Sequence, residues 1–225
     1  MTVRAIVFDF DGVLANSEPL HFRAFRDVLS AQGIVLTEAE YYGRYLGYDD
    51  VMAFGAIGED RQRHWTQQDI AGFVARKAAE MTELERDVSV LFPAAADVVR
   101  RAAAVVPIAI ASGALGHEIR RVLDREQLTS CFSAIIAAED TPRGKPAPDP
   151  YVLAVEWLRR TNPDLQPHEC LAVEDSAWGL QSARAAGLRT LGVAQSYPAA
   201  SLSADLVIPV IGDLNLSILG DLPAP

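Results

Sequence analysis

The sequence predicts an α/β fold, a doubly wound parallel sheet interrupted near its start by a block of helices, and three observations predict it. Five or six short apolar runs read as strands, and most are continuous rather than alternating, the pattern of strands covered on both faces. Helical patterns fall between most of these runs, as in a parallel sheet built from strand–helix units. Residues 15–86, between the first run and the second, contain no legible strand.

The elements follow in order. Ala5–Phe8 is the first strand and ends at Asp9. Leu20, Ala24, Phe25, Val28 and Leu29 then form one helical stripe stopped by Gly33. Thr37-Glu38-Ala39-Glu40 has the spacing of a capping box for a second helix, and Asp69–Glu83 is again helical in pattern. These helices define a cap over residues 15–86, with the core formed by 1–14 and 87–225 and hinges expected at Gly12–Ser17 and Glu85–Pro93. Ile108–Ala111 is the second strand, followed by a helical recurrence of Ile119, Val122 and Leu123. Ala134–Ala137 is the third, and Asp149-Pro150 reads as an N-cap followed by proline at the first helical position. Leu171–Val173 leads into a helix over Ser176–Ala186, which Gly187 stops. Thr190–Val193 and Leu206–Ile208 complete a Rossmann-like core, while the tail Asp213–Pro225 carries no pattern.

Composition narrows the partners. The 225 residues hold 20 Lys and Arg against 30 Asp and Glu, a net charge of −10. Such a chain is repelled by phosphate backbones and anionic membrane surfaces, so neither nucleic acid nor membrane is expected as a partner. Asp9 and Asp11 interrupt any signal-peptide pattern at the start. The longest uncharged apolar run, Ala102–Leu115, is too short for a span and contains Pro107 and Gly113. Cys131 and Cys170 make no disulfide framework and are expected as small buried hydrophobes, which fits a reducing cytoplasm. A monomer is expected, with a weak dimer as the alternative.

Four motifs carry chemistry. In Asp9-Phe10-Asp11-Gly12 the strand period puts both carboxylates on one side, at the carboxyl end where ligands bind in such sheets. Ser112-Gly113 offers a hydroxyl and an unhindered backbone N–H after the second strand. Lys145 sits in the proline-stiffened stretch Lys145-Pro146-Ala147-Pro148-Asp149-Pro150, and Glu174-Asp175-Ser176 closes the fourth strand. Singly these read as a turn, a helix cap, a solvated lysine and an acidic helix start. Together, each at a strand end, they describe phosphoryl transfer through a carboxylate nucleophile. A phosphate dianion approaches several carboxylates only if cations offset the charge; Mg²⁺ suits the acids, and Lys145, Ser112 and Gly113 suit the phosphoryl oxygens.

Asp9-Phe10-Asp11-Gly12-Val13, Ser112, Lys145-Pro146 and Glu174-Asp175-Ser176-Ala177-Trp178-Gly179 resemble the four motifs of the haloacid dehalogenase superfamily. The resemblance runs over essentially the whole chain and is closest to the subgroup of β-phosphoglucomutase and small sugar-phosphate phosphatases. It implies that Asp9 is nucleophile and metal ligand. Asp11 would be the general acid and base, its carbonyl binding Mg²⁺, with a pKa suited to shuttling a proton once the cap closes. Ser112, Gly113 and Lys145 would hold the phosphoryl group. Asp175 would complete the metal site, with Glu174 supporting it directly or through water.

The cap would decide the substrate. Glu18-Pro19-Leu20-His21-Phe22-Arg23-Ala24 resembles the hinge-side helix of the mutase group, but the phosphatases carry a similar stretch, so His21 does not separate them. In Tyr45-Leu46-Gly47-Tyr48-Asp49-Asp50 the mutase's basic residue after the glycine is replaced by Asp49 and Asp50. His21 and Arg44 are candidate substrate contacts. Arg61, Arg63, Arg76 and Lys77, like Arg44, could provide anion contacts from the cap, although most of these cations are expected as solvated helix-face charges. His64, His117 and His168 lack metal-ligand spacing, and Trp178 is expected to pack between helix and sheet. The family's usual Pro-Gly after the cap is Pro93-Ala94.

The reading is a Mg²⁺-dependent phosphatase of a small phosphorylated metabolite acting through an aspartyl-phosphate. A phosphosugar mutase is the alternative, followed by a non-catalytic binding protein on the same fold. A dehalogenase needs neither Asp11 nor a metal, and a phosphonatase would need a Schiff-base lysine, for which the cap offers only Lys77.

Overall fold

The computed structural model describes residues 3–46, 48–84, 86 and 89–219. Gly47, the Glu85, Asp87 and Val88 part of the second expected hinge, and the end of the tail lie outside the described residues. The strands are β1 (Ala5–Phe8), β2 (Ile108–Ala111), β3 (Phe132–Ile136), β4 (Cys170–Glu174), β5 (Arg189–Val193) and β6 (Leu206–Ile208). The helices are α1 (Glu18–Ser30), α2 (Glu38–Glu40), α3 (Asp50–Asp60), α4 (Gln67–Leu84), α5 (Ala95–Ala103), α6 (Gly116–Arg125), α7 (Asp149–Leu158) and α8 (Ala177–Ala185). The chain divides into two compact units, Met1–Asn16 with Val90–Pro225, and Ser17–Ser89.

In the first unit every strand pair is parallel and the order is β3-β2-β1-β4-β5-β6. Each apolar run is a strand: β1, β2 and β6 at the expected residues, and β3, β4 and β5 with ends that move by one or two. β4 gains Cys170 and Glu174 because their backbones pair with Ala5 and Gly192, whatever their side chains. β3 begins at Phe132, opposite Ile108, where the register shifts. β1, β2, β4 and β5 are wholly buried. On one face Val7, Ala109 and Ala172 pack with Tyr151, Ala154, Val155 and Leu158 of α7. This order brings the carboxyl ends of β2, β1 and β4 side by side.

Helix ends follow local chemistry. α7 differs from expectation: Pro148 is the cap, Asp149 is the first helical residue and Pro150 the second. Arg143 holds the Asp149 carboxylate in a fork, through Nε at 3.1 Å and Nη2 at 2.9 Å, and so turns it toward the preceding loop. α8 is capped by Ser176, whose Oγ accepts from the Gly179 N–H at 3.0 Å, and it ends before Gly187 at φ +83°. Ala94, before α5, has φ +66°, a left-handed backbone that glycine would adopt without strain. Where the chain leaves β1 and later returns, Asn16 N donates to Val90 O at 2.6 Å and Phe92 N to Leu14 O at 2.9 Å. Ala15 and Leu91 form an antiparallel bridge between those bonds.

Among the described residues the second unit is helical. Its core joins Phe25, Val28 and Leu29 of α1 to Tyr41, Phe54, Ile57 and Phe73, with the Phe25 and Phe54 rings 4.8 Å apart. The Thr37 capping box forms as expected: Glu40 N donates to Thr37 Oγ1 at 3.2 Å and Thr37 N to Glu40 Oε2 at 3.1 Å. α3, which the pattern did not reveal, is capped by Asp49, whose Oδ1 accepts from the Met52 N–H at 2.8 Å. One cation departs sharply from expectation. Lys77 is only 1% exposed, paired with Asp50, 2.7 Å from His21 Nδ1 and 4.4 Å above the Phe25 ring. Its four-carbon stem lies in the helical core and its charge is satisfied there, so it is no solvated face charge. Among the described residues no helix is long and apolar enough to cross a membrane.

Candidate active site

The site is assembled from strand ends. Asp9 follows β1, Glu174 ends β4 and Asp175 follows it. Each offers a carboxylate oxygen, and the three lie within 4.8 Å of one another. Lys145 reaches them from the loop between β3 and α7, with its Nζ 2.9 Å from Asp9 Oδ1 and 2.5 Å from Glu174 Oε1. Asp9 Oδ1 also accepts from the Phe10 N–H at 2.7 Å.

Glu174 is the most heavily bonded of the acids. Tyr151 OH donates to its Oε1 at 3.0 Å, beside Lys145. Its Oε2 accepts from Asp175 N and Ser176 N at 3.1 Å and from Ser176 Oγ at 3.0 Å. Gly179 lies against this carboxylate so closely that a Cβ there would meet Oε1 at 1.7 Å. The glycine at this point of the motif is therefore a steric requirement.

The electrostatics are those of a site short of positive charge. Burial, then the Glu174 charge, pushes the Asp9 carboxyl well above its ordinary range, against the pull of Lys145. Burial and Glu174 likewise push Asp175 up to about 7, although a Ser196 hydrogen bond draws it back. Burial alone would raise Glu174 too, but Lys145 and the Ser176 donors outweigh it and hold Glu174 below its ordinary value. Burial would lower Lys145, yet Asp9 and Glu174 hold its ammonium above the usual value. Three buried carboxylates thus lie together with one ammonium, which pairs with Asp9 and Glu174. An oxygen-only donor set with surplus negative charge fits a hard divalent cation such as Mg²⁺, and Asp9, Glu174 and Asp175 are the residues that could hold it.

The remaining expected residues are placed as follows. Ser112 follows β2 and is 2% exposed; its N–H is spent on Ile136 O at 2.9 Å, and its Oγ accepts from Ala114 N at 3.1 Å. Gly113 is exposed and open on its Cβ side. Asp11 is half-buried and its backbone bridges to Ala15. His21 and Arg44 belong to the helical unit, where His21 lies beside Lys77 and Arg44 is exposed and paired with Asp60. Geometry therefore joins Asp9, Lys145, Glu174 and Asp175 directly.

Two minor expectations fail. Trp178 is 58% exposed rather than packed under its helix, because the side of α8 that meets the core carries Gly179, Leu180, Ser182 and Ala183. Cys170 is buried in β4, but Cys131, in a single turn before β3, is only half-buried.

Three residues escaped sequence reasoning. Tyr151 looks like one apolar position of a helix. Gln195 and Ser196 follow β5 without any motif. Gln195 Nε2 donates to the carbonyls of Gly12 at 2.9 Å and Val13 at 2.8 Å, while its Oε1 accepts from Ile211 N at 3.1 Å. Ser196 Oγ lies 3.2 Å from the Gly12 carbonyl. Only the strand order, which puts β5 beside β4, brings these two residues to the motif.

A parallel sheet with a cluster of buried acids at its carboxyl edge and a helical excursion after the first strand defines the class, and the comparisons agree. The family described as haloacid dehalogenase-like hydrolase matches residues 3–187, and the chain belongs to it. The chain is 30% identical over 227 residues to hexitol phosphatase B of Escherichia coli, covering 99% of this chain and 95% of that protein. It is 29% identical over 237 residues to protein CbbY of Rhodobacter capsulatus, covering 99% and 100%. The crystal structure of CbbY from Rhodobacter sphaeroides in complex with phosphate superposes with a TM-score of 0.78 at 26% identity, covering 96% of this chain and 97% of that one. Family, fold and acid cluster together make the protein an enzyme of phosphatase-like hydrolase class.

Proposed function

We propose that the protein is a Mg²⁺-dependent phosphatase that hydrolyses a small sugar or polyol phosphate through an aspartyl-phosphate on Asp9. The observation that carries this reading is the placement of Lys145 Nζ between Asp9 Oδ1 and Glu174 Oε1, with Asp175 in the same cluster. Oδ1 is held by Lys145 and the Phe10 amide, so the attack is assigned to Oδ2. As the Asp9 Oδ2–P bond forms, the P–O ester bond breaks and Asp11 gives its proton to the leaving alcohol. Asp11, now a carboxylate, takes a proton from water; the water oxygen attacks phosphorus and Asp9 leaves as carboxylate. Inorganic phosphate is released with Asp11 again protonated. A Mg²⁺ ion held by Asp9 and Asp175, with Glu174 in support, would supply charge neutralisation for the phosphoryl oxygens. Lys145, Ser112 Oγ and the Gly113 N–H would meet the remaining charge.

Hydrolysis is favoured over mutase chemistry by the helical unit. Asp49 is spent as a helix cap and Asp50 on Lys77, so acids stand where the mutase keeps a cation for a second phosphate. The same pairing commits Lys77, which leaves no amine there for a Schiff base. The name of hexitol phosphatase B, whose substrate class is that of a polyol phosphate, points the same way. The test is a phosphate-release screen over sugar phosphates, polyol phosphates, nucleotides and phosphoglycolate, with Mg²⁺ and then with chelator. Release that needs Mg²⁺ and falls on the order of 10³-fold or more in Asp9→Asn is expected. Bisphosphate-activated isomerisation without net phosphate release would replace this reading with the mutase.

A further inference from the structure

We propose that Tyr151 is a positioning residue of the phosphoryl-transfer site: its hydroxyl sets how the Lys145 ammonium is divided between Glu174 and Asp9. The inference rests on the phosphatase reading for its kinetic consequence, but its geometry stands apart from the identity of the substrate.

Tyr151 is the third residue of α7 and is fully buried. A phenylalanine would fill the same place among Ala154, Ala172 and its other neighbours, so packing explains the ring and leaves the hydroxyl unexplained. That hydroxyl is 3.0 Å from Glu174 Oε1, the oxygen that also receives Lys145. The ring centroid lies 5.2 Å from Lys145 Nζ, within cation–π range. One side chain therefore touches both members of the ion pair, donating to the anion and presenting its face to the cation.

The arrangement is a competition. Lys145 has two carboxylate partners, and Asp9 is the one to which the phosphatase reading assigns the attack. A carboxylate oxygen has two lone pairs, and Lys145 and Tyr151 together take those of Oε1. Oε2 is shared by three donors from residues 175 and 176. Every donor that Glu174 already accepts weakens its hold on Lys145, and the Tyr151 hydroxyl is the one on the shared oxygen. Removing it concentrates the Glu174 charge on Lys145 and draws Nζ from Asp9 and from the phosphoryl oxygens. Charge on those oxygens is redistributed most in the transition state, so turnover should suffer more than substrate binding.

The test is Tyr151→Phe in the full chain, which keeps the ring and removes only the hydroxyl. With the best substrate from the phosphate-release screen, kcat is expected to fall about tenfold with KM within about threefold of wild type. Mg²⁺ affinity, titrated calorimetrically into metal-free protein, should stay within about twofold, as should the effect of Mg²⁺ on melting. In the crystal structure of the metal-free variant, Lys145 Nζ should lie farther from Asp9 Oδ1 than in the wild type. In a Glu174→Gln background, the same change should have little further effect, because the hydroxyl acts through Glu174. An unchanged kcat, an equal penalty with and without Glu174, or a loss that tracks Mg²⁺ affinity or KM would overturn the proposal. If the wild type releases no phosphate from any compound, the phosphatase reading fails, and the position of Lys145 in the variant structure alone decides the role of Tyr151.

Discussion

Gly12 and Asp175 occupy one another's space: a Cβ on Gly12 would lie 1.9 Å from Asp175 Oδ2. Gly12 also has φ +77°, and its carbonyl accepts from Gln195 Nε2 at 2.9 Å. The turn after β1 is thus built around the acid that follows β4, and it is pinned by the loop after β5. Gly12→Ala must displace either the turn or the carboxylate. A loss of Mg²⁺-dependent activity of on the order of 10²-fold is expected, together with about 1–3 kcal/mol of stability. Kinetics and urea unfolding check both, and near-normal Mg²⁺ activation would show that Asp175 is not fixed by this approach.

Gln195→Ala leaves the Gly12 and Val13 carbonyls without this donor and Ile211 N without its acceptor. About 1–3 kcal/mol of destabilisation is expected for the groups left behind. Amide hydrogen exchange at Val13–Ala15 should accelerate by more than the loss of global stability accounts for. Uniform acceleration across the chain would instead mean that the glutamine supports the fold at large.

The raised acids give the metal-free protein a definite pH response. Burial and Glu174 lift Asp175 from an ordinary 3.8 to about 7, so the folded state holds this proton more tightly than the unfolded chain. For this group stability is greatest below the unfolded value and falls as pH rises toward about 7. A metal competes with that proton, so Mg²⁺ should bind more tightly as pH rises over the same range. The melting shift caused by saturating Mg²⁺ should be larger at about pH 8 than at about pH 6. Thermal unfolding with Mg²⁺ and with chelator tests this, and equal shifts at the two pH values would contradict it.

In the helical unit the Asp50–Lys77 pair is asymmetric, for the Lys77 side chain is 2% exposed and that of Asp50 33%. Asp50→Asn strands a buried ammonium and should cost about 3 kcal/mol, the lower end for breaking a buried pair because Asp50 still reaches water. Lys77→Met keeps the apolar stem and leaves a carboxylate that water can reach, so it should cost less. Denaturant unfolding of the two variants settles the order, and the reverse ranking would mean that Asp50 has other support.

Ala94 tests backbone strain alone. An alanine at φ +66° sits where glycine is favoured, and Ala94→Gly should raise stability by about 0.5–1 kcal/mol. A destabilised variant would show that its methyl, 3.2 Å from a Cβ built on Gly212, contributes packing that outweighs the strain.

Much of this molecule is written locally. AIVF and IAIA are strands at the predicted residues, Gly33 and Gly187 end their helices at positive φ, and Thr37 forms its box with Glu40. The acids and Lys145 were legible because each sits at a strand end, where a short motif suffices. Tyr151, Gln195 and Ser196 were not, since their importance comes from what neighbouring elements bring to their polar atoms. Lys77 was misread for the same reason: helical spacing cannot tell a solvated lysine from one whose partners, Asp50 and His21, arrive from other helices. The Asp149 cap failed because Arg143, six residues earlier, competes for the carboxylate.

The antiparallel seam at Ala15 and Leu91 makes the helical excursion a cassette. Asn16 and Val90 are joined by a hydrogen bond, so the intervening chain begins and ends at one place on the core. For the sheet, the excursion is a closed loop whose entropic cost grows only with the logarithm of its length. The chain between those residues can therefore change in length without shifting the register of a strand. Joining Asn16 to Val90 by a tight turn would leave the entire β-sheet ladder in place.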